Sequence, residues 1–90
     1  MSVFAVIATD TKDGNVKRLE QLITTQYVDD AFKLKANIWL VYEKDVSQPK
    51  AVFSRLLGED NSVACLIVPF DSYWGVQQKP TWDWLKNKGL

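Results

Sequence analysis

Histidine is missing from all 90 residues of this chain. Its absence removes the commonest general base, the usual zinc ligand and the imidazole partner of serine and cysteine nucleophiles. Cysteine is nearly missing as well. Cys65 stands alone, so no intrachain disulfide can form. It sits inside the apolar run "VACLIVPF", the setting of an inert buried thiol rather than a reactive one. One cysteine and no histidine also exclude a Cys/His metal site. Four scattered glycines cannot build a loop that cradles phosphate. Eleven basic residues cancel eleven acidic ones, so the broad basic excess of most nucleic-acid binders is lacking. The opening "MSVFAVIATD" has an apolar run of six residues, no basic flank and an early Asp10. It is neither a signal peptide nor a membrane span, and a cytoplasmic protein with no membrane contact is expected.

What the chain has in quantity is apolar surface. Hydrophobic residues make up 47% of it, in a length that fits one domain over residues 1–90. A chain this short buries only roughly 60–65% of its unfolded surface. Part of the apolar content is therefore expected to face outward, under a partner.

The pattern along the chain predicts four strands and two helices, followed by a tail. "VFAVIA" is short and β-branched, as in a strand buried on both faces. Val16, Leu19, Leu22, Ile23 and Tyr27 recur at helical spacing, with Asn15 or Asp13 placed to cap a helix over 16–26. "AFKLK" alternates with period two and reads as a half-wet edge strand, with Lys33 and Lys35 guarding it. "IWLVYEK" is apolar on both faces and so central. Ser47 and Pro49 open a second helix, which Gly58 stops. "SVACLIVPF" is the fourth strand, and Pro69, having no N–H, places its far end at an edge or bulge. Pro80 can open a short closing helix.

The order β-α-β-β-α-β predicts an α+β, ferredoxin-like fold: a four-stranded antiparallel sheet with two helices on one face. Its core would end near residue 70, leaving an aromatic tail over 71–90. The uncovered sheet face then needs a cover. Tyr73, Trp74, Trp82 and Trp84 in the tail are the candidate interface residues. Trp74 and Trp82 are expected to clasp the sheet, in the same subunit or across a homodimer, while Trp84 should point away.

At this point "NIWLVYEKDVSQPKAVFSRLL" and "VACLIVPFDSYWG" resemble small SinR-like proteins of the ferredoxin-like kind. These are similar in turn to the small CRISPR adaptation, endoribonuclease-like proteins, some described as metal-dependent nucleases. That resemblance implies a dimer. It also implies a catalytic role for Asp10, which follows strand one in "IATD" with Thr9 in place of the family's tyrosine, and a first-helix arginine, Arg18.

Carboxylates are the metal ligands that remain. In the expected topology strands one and three run parallel, so Asp10 and Asp45 leave the sheet at one end, and Asp60 arrives there ahead of strand four. Mg²⁺ needs only one or two carboxylates plus waters. The plainer reading is that these acids serve loops and helix starts. Arg18, Lys79 and Lys86 are the candidate nucleic-acid contacts, with the tryptophans as stacking platforms. Three readings therefore stand: a self-associating interaction module without catalysis or cofactor, an Mg²⁺-dependent nuclease or nucleic-acid binder, and a small-ligand binder with a pocket between sheet and tail. The first is the favoured expectation.

Overall fold

The computed structural model describes residues 2–44, 48–58, 62–70 and 79–88. They form β1 (Ser2–Ala8), α1 (Asp13–Gln26), β2 (Ala31–Lys35), β3 (Ile38–Glu43), α2 (Pro49–Leu57), β4 (Cys65–Phe70) and α3 (Lys79–Asn87). The four strands make one sheet in the order β2-β3-β1-β4, and each neighbouring pair is antiparallel. This small α+β arrangement is consistent with the ferredoxin-like expectation.

The sheet overturns one part of the sequence reading. β1 and β3 are antiparallel, with Ser2 opposite Glu43 and Ile7 opposite Ile38. The physical reason lies in the connections. The α1 crossover returns β2 parallel to β1, and the tight turn at Ala36 and Asn37 sends β3 back between them. The end of β3 therefore lies beside the start of β1, far from Asp10.

Backbone hydrogen bonds fix the phase of the ladder. The Ala8 N–H donates to the Asn37 carbonyl at 2.8 Å, and the Thr9 N–H to the Ala64 carbonyl at 3.2 Å. Even-numbered residues of β1 thus bond to β3, and odd-numbered ones to β4.

Alternation of side chains divides the apolar residues of β1 and β3 between two faces. On one face Phe4, Val6, Ala8, Trp39 and Val41 pack under Leu19 and Ile23 of α1 and Val52, Leu56 and Leu57 of α2. Leu19 and Ile23 are four residues apart, as are Val52 and Leu56, so each helix lays one stripe on the sheet. Burying each of these aliphatic side chains contributes about 1.5–3 kcal/mol. The helix starts differ from expectation. Lys12 and Gln48 occupy the N-cap positions and neither makes a side-chain cap. Asp13 falls inside the first turn of α1, where its charge suits the helix dipole. Ser47 lies outside the described residues. Gly58 does end α2, with φ of 60° and its N–H on the Ser54 carbonyl, a conformation that glycine adopts without strain.

The second face carries α3. Leu85 is buried against Val3 and Leu40, with Phe32, Leu34, Tyr42, Trp82 and Trp84 partly buried around them. Trp84 therefore does not point away from the sheet. Thr81, Trp84, Leu85 and Lys88 recur at spacings of three and four, so Trp84 falls on the docking stripe itself. Its ring meets Phe32 with centroids 5.9 Å apart and tilted by 36°. Lys88 closes the contact, donating to the Asp30 carboxylate at 2.7 Å with its ammonium 5.1 Å from the Tyr42 ring centre.

Candidate functional site: the uncovered half of the sheet

The helix α3 lies over the β2–β3 half of the second face, against Phe32, Leu34, Leu40 and Tyr42. Among the described residues, no helix covers the other half. Leu66 and Val68 of β4 project from it with 53% and 37% of their surfaces exposed, and Ile7 and Ala5, opposite them on β1, are only partly buried. No charged residue occurs anywhere in 62–70. The other edge is different. β2 carries Lys33 and Lys35, and its pairing with β3 is broken by a bulge between them, the usual devices that keep an edge strand from recruiting another. Among the described residues, the β4 edge has neither a lysine nor a bulge. β4 has a milder stop in Pro69, whose missing N–H falls on the outward side of the ladder and so costs β1 no bond.

Of the carboxylates proposed from the sequence, Asp10 alone belongs to the described residues. Asp10 accepts a hydrogen bond from the Lys12 N–H at 3.1 Å, a local turn-forming contact. Its carbonyl accepts from Asn15 at 2.7 Å. Asn15 also donates to the Ala64 carbonyl at 3.0 Å and accepts from the Ala64 N–H at 2.8 Å, tying the β1–α1 loop to the approach to β4. The antiparallel course of β3 ends it at Glu43, opposite Ser2 and at the far end of β1 from Asp10. Asp45 and Asp60 themselves lie outside the described residues. Among the described residues, no group of three or more cysteine and acidic side chains is arranged to hold a metal ion.

The candidate nucleic-acid contacts occupy both sides of the sheet. Arg18 belongs to α1, on one face, whereas Lys79 and Lys86 belong to α3, on the other. Lys79 pairs with Asp83 at 3.0 Å on the exposed side of α3. Trp82 and Trp84 are partly buried on the sheet. Tyr73 and Trp74 lie outside the described residues, as does any pocket wall formed by 71–78. A groove of about 490 Å³ runs between α1 and β2. It is lined by Asp13, Lys17, Glu20 and Lys33 among others, and the Lys33–Glu20 pair at 2.8 Å bridges its β2 and α1 walls.

One cluster escaped the sequence reading. Glu43, at the end of β3, is buried and paired with Arg55 of α2. The same guanidinium donates to the Gln26 carbonyl at 2.8 Å, satisfying the C-terminus of α1, and lies 4.5 Å from the Tyr27 ring centre. Alternation of β3 placed Glu43 with Trp39 and Val41, which was the available signal. Tyr27 is 2% exposed and its hydroxyl makes no hydrogen bond. Burial, and then the neighbouring Glu43 carboxylate, push its pKa well above the ordinary value of 10. A raised folded-state pKa gives stability that is whole below the unfolded pKa and is lost as pH climbs beyond it. Tyr27 therefore contributes to unfolding from about pH 10 upward. Tyr27→Phe is expected to leave stability at pH 7 within about 0.5 kcal/mol of wild type, since no hydrogen bond is lost. It should also flatten the alkaline decline. Urea denaturation at pH 7 and pH 10.5 checks both.

Among the described residues, no helix is long and apolar enough to cross a membrane. Comparison with known proteins finds no matching family model, no matching curated protein and no matching solved structure.

Proposed function

We propose that this protein is a cytoplasmic, non-enzymatic interaction module of the ferredoxin-like type that works as a homodimer. One observation carries the reading: β4 is an uncharged edge strand whose Leu66 and Val68 project, exposed, from the half of the sheet that α3 leaves open. An edge of that composition is a template for pairing with another chain unless something covers it. Burying what remains exposed of Leu66 and Val68 adds roughly 1 kcal/mol per side chain at each subunit. The absence of histidine, which removes the commonest general base, supports a role in association rather than catalysis.

Light scattering from 1 to 200 µM tests the reading. The expected result is a mass that rises with concentration from one chain, 10.3 kDa, toward twice that value. Leu66→Lys combined with Val68→Lys should hold the protein at the mass of one chain throughout, with an unchanged circular dichroism spectrum. A wild type that stays monomeric over the whole range defeats the proposal.

A further inference from the structure

Resting on that self-association reading, the geometry points to one particular mode: two copies join β4 to β4, antiparallel and twofold-symmetric about Leu66, into a single eight-stranded sheet. The phase of the ladder selects it. Because the Thr9 N–H bonds to Ala64, and Ile7 lies opposite Leu66, the even residues of β4 bond inward to β1. The odd residues, Cys65 and Ile67, present their N–H and carbonyl groups outward, and Pro69 presents a carbonyl alone. A twofold at Ile67 would set Cys65 against Pro69 of the second copy, where proline cannot return the bond. A twofold at Leu66 sets Cys65 against Ile67 of the second copy, twice over, and each pair can exchange both bonds. Pro69 then falls beyond the paired segment. In that register Leu66 meets Leu66 of the second copy at a position without backbone bonds, where the side chains come closest. Leu66, the more exposed of the two projecting side chains, becomes the centre of the joint.

Charge and area agree with a second copy as the occupant. No residue of 62–70 brings a like charge to its own symmetry mate. Five paired residues, 64–68, run about 17 Å, and the shortest dimension of the molecule is 20 Å. The contact therefore covers roughly 340 Å² per copy, below the standard size for specific pairs and suited to weak, transient association. Micromolar association is expected.

Disulfide trapping tests the register. In a Cys65→Ala background, Leu66→Cys places two thiols on residues whose Cα atoms lie about 4.5–5.5 Å apart, within bridging distance. Val68→Cys places them about 13 Å apart or more, out of reach. Mild oxidation is expected to crosslink Leu66→Cys at least tenfold faster than Val68→Cys. Hydrogen exchange on the wild type needs no variant. The amides of Cys65 and Ile67 should slow at least tenfold between 1 µM and 200 µM, while the outward amides of Ala31 and Lys33 on β2 stay unchanged. A concentration-dependent dimer in which Leu66→Cys crosslinks no faster than Val68→Cys, or in which Cys65 and Ile67 gain no protection, overturns this pairing and leaves the self-association reading standing. A monomer at every concentration overturns both.

Discussion

Leu85→Ala is expected to destabilise the protein by about 3 kcal/mol and to release α3 from the sheet. Leu85 is 3% exposed, and it packs on Val3 and Leu40, which are 1% and 4% exposed. Truncation there leaves a cavity that a two-layer contact between one short helix and a sheet cannot close, and such changes cost about 2–5 kcal/mol. A domain of this size commonly has roughly that much stability in reserve. A nine-residue helix has little intrinsic stability of its own, so losing its anchor removes the reason for it to stay folded. Trp82→Ala should cost less, about 1–2 kcal/mol, because Trp82 is only partly buried beside the same cluster. Lys86, exposed in the last turn, should tolerate alanine within about 0.5 kcal/mol. Urea denaturation of the three variants gives the ranking. If Trp82→Ala costs more than Leu85→Ala, the tryptophan and not the leucine anchors the tail.

The second large effect is expected at Arg55. Arg55→Met keeps an aliphatic stem against the Tyr27 ring and removes the charge. Glu43, 7% exposed, is then left without its cation, and the Gln26 carbonyl loses its donor. Removing one partner of a buried pair costs about 3–5 kcal/mol. The Arg55 side chain is 48% exposed, so solvent screens part of this and about 2–3 kcal/mol is expected. Glu43→Gln in the same background should restore more than half of the loss, because the stranded charge is gone. A double-mutant cycle in urea measures it. Two single losses that simply add would mean the pair is idle, and that Arg55 acts only through the end of α1.

Much of the architecture could be read from local chemistry. The alternation in "AFKLK" and the doubly apolar "IWLVYE" separate a wet strand from a buried one. Gly58 stops α2 because its φ of 60° is a conformation that side-chain-bearing residues resist. The caps were less legible. Asn15 has the chemistry of a helix cap, yet its side chain spans to Ala64, 49 residues away. No local pattern reports a partner so distant. Trp84 was misplaced for a related reason. A stripe of Thr81, Leu85 and Lys88 is too polar to be recognised as buried until Asp30 and Tyr42 come up beside it.

The sequence by itself determined the elements and the excluded chemistries. Each depends on residue type and on spacing within a few positions, which the chain carries wherever it folds. Without histidine there is no imidazole, and with one cysteine there is no internal disulfide. Only the tertiary structure decided what meets what. The antiparallel course of β3 set its end, Glu43, beside Ser2 at the start of β1 rather than beside Asp10. The docking of α3 covered one half of the second sheet face and left Leu66 and Val68 on the other. Those outcomes depend on contacts between residues far apart in the chain, set by crossover handedness and by competition for a limited apolar area. Spacing along a strand or helix carries no record of either.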